Sequence, residues 1–121
     1  MIKILIEGEP IPAARPRFSN GHAYQPARNR EYRERVINSA RSAMGSKTPL
    51  TGAIAADVKL YRKYKPTSRL SGDVDNHLKA VFDGLNKIAF EDDAQITKCV
   101  VEKFCDKENP RAEVELREVV T

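Results

Sequence analysis

Residues Gly72–Ile96 read GDVDNHLKAVFDGLNKIAFEDDAQI. Leu78, Val81, Phe82 and Leu85 fall at i, i+3, i+4 and i+7, the spacing of one helix face. Before this stretch Ile54, Ala56, Val58 and Leu60 alternate, and after it the valine-rich run Ile96–Phe104 follows; both read as strands. A helix over roughly residues 75–86, set between two strands, is the unit around which the fold is expected to form. The same stretch holds Asp73, Asp75, Asp83, Glu91, Asp92 and Asp93, although the chain as a whole carries net charge +4.

Upstream, Ile2, Ile4 and Ile6 alternate and predict a strand over residues 2–7. Gly8–Pro16 holds three prolines and is not regular structure for long. Ser19-Asn20-Gly21 is a turn signal. Tyr32, Val36, Ala40, Ala43 and Met44 have helical spacing within residues 29–44. Downstream, Ala112, Val114 and Leu116 alternate with charged residues, giving a last strand. The connection Asp106–Pro110 is short, so the last two strands are expected to form an antiparallel hairpin. The order β-α-β-α-β-β predicts an α+β fold, a small mixed sheet with two helices packed on it.

A chain of 121 residues is one domain's worth and buries one modest core. No apolar run approaches the roughly 18 residues of a membrane helix, and the N-terminus meets Glu7 early, so a cytoplasmic protein is expected. Cys99 and Cys105 share one predicted strand, roughly 20 Å apart and beyond disulfide reach. The charge is uneven. Residues 1–69 carry 14 Lys/Arg against 5 Asp/Glu, and residues 70–121 carry 7 against 12. A basic first half suits a polyanionic partner, nucleic acid first, or else solvated helix and strand surfaces.

Each acid has a structural reading. Asp73 suits a helix N-cap, Asp75 a first turn, and Asp83 an ion pair with Lys79 or Lys87. His77 reads as a first-turn surface or phosphate-side residue. Together they offer more. Asn76, Lys79 and Asp83 share the face opposite the apolar one, close to two carboxylates at the helix start. Hard cations such as Mg²⁺ take one or two carboxylates and keep water and substrate phosphate in their other positions. An EF-hand starting at Asp73 fails, because its sixth position is Leu78. Asp92 and Asp93 join Asp73 and Asp75 only if the helix stops near Asn86 and the chain doubles back along it.

Asp73-Val-Asp75-Asn76-x-x-Lys79, then Asp83-Gly-Leu85-Asn86, then Phe90-Glu-Asp92-Asp93-x-Gln95-Ile96 resembles the RusA family of Holliday-junction resolvases. The resemblance implies a single endonuclease domain over residues 1–121. It also implies a homodimer, often of prophage origin, that uses Mg²⁺, with Mn²⁺ as a substitute, to place paired nicks across a four-way DNA junction in recombination and repair. By resemblance Asp73, Asp75 and Asp93 are metal-binding acids, Asp92 the neighbouring acid, and Lys79 the catalytic lysine, while Asn76 positions DNA. Asp83 matches too and is held as structural. No membrane or organic cofactor is implied. Arg15, Arg17, Arg28, Arg30 and Arg33, with Arg62, Lys63, Lys65 and Arg69, are then candidates for phosphate contacts. Phe18, Tyr24 and Tyr64 are candidates for stacking or wedging at the branch, or for core cover. Competing readings are a less selective branched-DNA or flap nuclease and a non-catalytic junction-binding accessory protein.

Overall fold

The computed structural model describes residues 1–14 and 17–119, and of Arg17 and Phe18 the backbone alone. Six strands and two helices follow in the order β1 (Ile2–Glu7), β2 (Arg17–Ser19), β3 (His22–Tyr24), α1 (Ala27–Met44), β4 (Ile54–Arg62), α2 (Val74–Leu85), β5 (Ile96–Cys105) and β6 (Arg111–Glu118). The α+β class with a mixed sheet and two helices is as the periodicities indicated. The small hairpin β2–β3 was not foreseen beyond its turn. Asn20 and Gly21 both take positive φ, the combination a two-residue hairpin loop needs.

The main sheet has the order β1-β6-β4-β5. β6 runs antiparallel to both β1 and β4, and β4 runs parallel to β5 with α2 as the crossover. The last two strands therefore do not form the expected hairpin. β4 lies between them. The Asp106 N–H bonds the Arg62 carbonyl at 2.8 Å, so the connection wraps the end of β4 on its way to β6. The reason is apolar content. β4 and β6 have continuous inward rows (Ile54, Ala56, Val58, Leu60 and Ala112, Val114, Leu116), which gain most from central positions. β5 is mostly exposed and takes the edge.

Ile2, Ile4 and Ile6 of β1 extend those rows. Both helices cover this face of the sheet: Tyr32, Val36, Ala40 and Met44 from α1, and Val81, Phe82 and Leu85 from α2. The helices approach closely at Gly84. A Cβ there would lie 2.5 Å from Val36 Cγ1, so the glycine that weakens the last turn of α2 is what lets α1 pack against it. None of the described helices is long and apolar enough to cross a membrane.

Candidate functional site

The acids sit at two ends of α2. Asp73 is its N-cap residue, with an exposed side chain that makes no capping bond. Asp75, also exposed, lies in the first turn and accepts a hydrogen bond from the Asn76 N–H at 3.0 Å. The unpaired N–H groups and dipole of the helix start favour negative charge there.

What precedes Asp73 is held from beneath by a buried polar network. Arg62, only 5% exposed, pairs through Nε with Glu9 Oε1 at 2.8 Å. Its Nη1 donates to the carbonyls of Leu70 at 3.0 Å and Ser71 at 2.8 Å. Lys103 Nζ, from β5, donates to Ser71 Oγ at 2.9 Å and to the Gly72 carbonyl at 2.7 Å. His77, 1% exposed, donates from Nε2 to the Ser71 carbonyl at 2.6 Å, which makes it the Nε2–H tautomer. Burial holds its pKa below the ordinary imidazole value. Gly72 completes the turn with φ +80, and a Cβ there would come within 2.9 Å of His77 Nε2 and 3.0 Å of Pro12 Cγ. Two expectations are corrected here. Arg62 does not face DNA, because its guanidinium is consumed inside the protein. His77 is not a surface residue, because its ring lies on the core side of α2.

The other acids gather at the far end. The helix stops at Leu85 with Asn86 as its C-cap, as the doubling-back condition required, but the chain does not return along it. Lys87 takes φ +69 and its N–H bonds the Phe90 carbonyl at 2.7 Å, closing a tight turn. Leu50 N–H then bonds the Ala89 carbonyl, fixing the segment beside the start of β4. Asp92 caps a 3-10 turn, Asp93–Gln95, through a capping box. Gln95 clamps the turn: Oε1 accepts from the N–H groups of Glu91 and Asp92, and Nε2 donates to the carbonyls of Leu50 and Gly52. Asn86 Oδ1 accepts from the Asp93 N–H at 3.1 Å. The Asp92 and Asp93 carboxyls are neighbours and shift each other in opposite directions. The Ala94 N–H and then Asp93 hold Asp92 below the usual carboxylate range. The neighbouring Asp92 carboxyl, then burial and the charge of Asp83, push Asp93 above it.

Twelve residues of helix, about 18 Å, separate the two groups. Among the described residues no three His, Cys, Asp or Glu side chains come together to hold a metal ion. One chain thus does not gather Asp73, Asp75, Asp92 and Asp93 into a single Mg²⁺ site. Asp83 makes no ion pair with Lys79 or Lys87 among the described residues; its charge acts on Asp93 instead.

Lys79 stands between the two groups, one turn from Asp75 and one from Asp83. It lines a cleft of about 170 Å³ with Asp83 of α2, Asn29, Arg30 and Arg33 of α1, and Ala13 of the N-terminal arm. Arg28, Arg30, Arg33, Lys63, Lys65, Arg69 and Asn76 are exposed. Arg30 donates to the Gln25 carbonyl, Lys63 lies over the half-buried Tyr64 ring, and Tyr24 is exposed on β3. Arg17 lies on β2, and Arg15 falls outside the described residues. The face of α2 bearing Lys79, the first turns of α1 and the loop before Asp73 thus present cations around exposed carboxylates, an arrangement suited to holding phosphodiesters.

The supports that the sequence did not disclose are Glu9, Ser71 and Lys103 at one end; at the other, Asn86 and Gln95 belong to the quoted motif, but their part in holding the turn was not foreseen. Lys103 carried a signal, since it shares the face of β5 that points to the helix layer. Glu9, between Gly8 and Pro10, carried none.

A profile of the family Endodeoxyribonuclease RusA matches residues 7–117, nearly the whole chain. The chain is also 36% identical, over an alignment of 141 positions covering 98% of it and 96% of the relative, to the uncharacterized protein YqaN of Bacillus subtilis (strain 168).

Proposed function

The chain belongs to the RusA endodeoxyribonuclease family, and from that premise we propose that it resolves four-way DNA junctions by paired, symmetric nicks, in recombination and repair in the cytoplasm. The observation that carries this reading is the exposed face of α2. It sets Asp75, Asn76, Lys79 and Asp83 in one stripe beside the arginines of α1.

In this reading residues 1–121 act as one endonuclease domain, and Arg28, Arg30, Arg33, Lys63, Lys65 and Arg69, with Arg15 and Arg17, bind the backbones of the junction arms. Asn76 orients the strand to be cut. Lys79 places its ammonium against the non-bridging oxygens of the scissile phosphate, where negative charge grows as water attacks. Asp73, Asp75, Asp93 and Asp92 are the proposed ligands of Mg²⁺, or of Mn²⁺ in its place. Within one copy their separation leaves that site incomplete, so the ion's part in the chemistry is not assigned to a single chain.

The distance between the acid groups also favours a second reading, a junction-binding accessory protein that does not cut. A gel assay separates the two. Purified protein is mixed with a labelled immobile four-way junction at several salt concentrations, with and without Mg²⁺. Tight binding with Mg²⁺-dependent nicks is the expected result; tight binding with intact strands in every metal would replace the resolvase with the accessory protein.

A further inference from the structure

β1 is an edge strand, with β6 as its one neighbour in the sheet. Along such a strand the backbone polar groups alternate in direction. The Gly8 N–H bonds the Pro110 carbonyl at 3.1 Å and continues the β1–β6 register, so Ile2, Ile4 and Ile6 spend their N–H and C=O groups on β6. Lys3, Leu5 and Glu7 turn theirs to the open side. Arg35 of α1 shows this direction, since its Nη1 donates to the Glu7 carbonyl from that side at 2.8 Å. Among the described residues the N–H groups of Lys3, Leu5 and Glu7 and the carbonyls of Lys3 and Leu5 have no such partner.

Beside this edge α1 leaves a groove of about 530 Å³, lined by Leu5 and Glu7 of β1 and by Asn38, Ser39, Ser42 and Ala43 of α1. The helix residues are small, and Ser39 has already spent its hydroxyl on the Arg35 carbonyl at 2.7 Å. Leu5 is 49% exposed. An open strand edge is a template for another strand. Where a groove adjoins it, an extended peptide can be taken up, with main-chain bonds along the edge and alternate side chains in the groove.

We propose that the β1 edge and the α1 groove bind an extended peptide segment of another protein, added as a strand antiparallel to β1. The charges set its order. Lys3, Leu5 and Glu7 read basic, apolar and acidic. The antiparallel complement is basic-x-apolar-x-acidic, because opposite charges and apolar pairs across strands are favourable. β6 already meets β1 in this way on its other side, with Arg111 opposite Glu7 and Glu115 opposite Lys3, whose ammonium lies 3.7 Å from the Glu115 carboxylate. The residues marked x point into the groove and are apolar, to fill the space over Ser39 and Ala43. A second β1 would satisfy the charges, but its Ile2, Ile4 and Ile6 are buried in its own core and would leave the groove unfilled. A free peptide has those side chains to give. The groove lies on the opposite side of α1 from Asn29, Arg30 and Arg33, which line the Lys79 cleft, so a docked peptide leaves that cleft open. The inference does not depend on the nuclease reading.

A fluorescent peptide Ser-Arg-Val-Leu-Val-Glu-Ser, blocked at both ends, is titrated with the full chain and followed by anisotropy. Its isomer Ser-Glu-Val-Leu-Val-Arg-Ser should bind about tenfold more weakly, because both opposite-charge pairs become like-charge pairs. Equal binding of the two, or binding of neither, overturns the proposal. Amide exchange locates the peptide: it should slow the N–H groups of Lys3, Leu5 and Glu7 and leave those of Ile4 and Ile6, already bonded to β6, as they were. Protection that spares Lys3, Leu5 and Glu7 overturns the site. Ser42→Trp fills the groove from an exposed position, and Leu5→Pro removes an outward N–H without touching the β1–β6 ladder. Each should weaken peptide binding by about tenfold or more with the circular dichroism spectrum unchanged; should Leu5→Pro disturb folding, Ser42→Trp alone decides. Binding that survives Ser42→Trp overturns the groove. If Leu5→Pro lowers the mass of the peptide-free protein in sedimentation, a second copy holds this edge and the peptide proposal falls.

Discussion

The two ends of α2 hold their carboxylates by different means. At the N-terminal end the loop before Asp73 is gripped from inside, by Arg62, Lys103 and His77, whose polar atoms are spent on backbone carbonyls and on Glu9. At the C-terminal end Asp92 and Asp93 are gripped from the surface, by the side-chain amides of Asn86 and Gln95. Breaking a buried charged network costs fold stability, because the remaining partners stay desolvated and unpaired. Breaking an exposed amide clamp lets water replace the lost bond and costs mainly local order. One end of the site is therefore as rigid as the core, and the other is adjustable.

The largest effect expected is from Arg62→Met, which leaves the part-buried Glu9 without its ionic partner. Stability should fall by about 3–5 kcal/mol in denaturant unfolding. A loss below about 1 kcal/mol would mean that the network is ornamental and would erase the contrast. Lys79→Met probes the surface between the ends. Nicking of a junction should drop on the order of 100-fold or more with melting temperature unchanged, as for loss of a group that stabilises developing charge. A matching loss of stability would give Lys79 a structural part instead.

Gln95→Ala removes four hydrogen bonds to backbone groups at the C-terminal end. Because their surroundings are largely exposed, it should cost about 1 kcal/mol globally, with amide exchange speeding up over residues 91–95 and not at Ser71–Gly72. Spread of the faster exchange to both ends would show that they are one unit. The smallest effect is that of pH. His77 has a folded pKa below its ordinary value of 6.5, so the unfolded chain binds more protons as pH falls through that value. The stability this histidine supports is full above about pH 6.5 and declines below it, down to the depressed folded pKa. His77→Gln should flatten that slope in urea titrations between pH 7 and pH 5; an unchanged slope would place the proton elsewhere.

β1, β4, β6 and the two helices were legible because each has one clear period, whereas the three-residue strands of the β2–β3 hairpin are too short to show one. The triple isoleucine of β1, the alternation in β4 and β6, and the i, i+3, i+4, i+7 row of α2 all found their places. Strand order was less legible. A short connection favours a hairpin, yet the apolar rows of β4 and β6 drew those strands together and expelled β5 to the edge. At the site, exposure and membership of α2 could be read for Asp75, Asn76, Lys79 and Asp83. The burial of Arg62 and His77 could not, since only tertiary packing decides whether a guanidinium or imidazole turns inward. The separation of Asp73 from Asp93 was equally hidden, because it depends on Lys87 turning the chain toward Leu50 rather than back along α2.

In the proposed function the chain cuts branched DNA with the carboxylates at the ends of α2. The most direct measurement incubates an immobile four-way junction and a matched linear duplex with the wild-type protein and with Asp75→Asn, in Mg²⁺ and in EDTA. Paired nicks in the junction alone, present with wild-type protein and Mg²⁺ and absent with EDTA or with Asp75→Asn, are the predicted result. Equal cutting of junction and duplex, or cutting that survives Asp75→Asn, would contradict it.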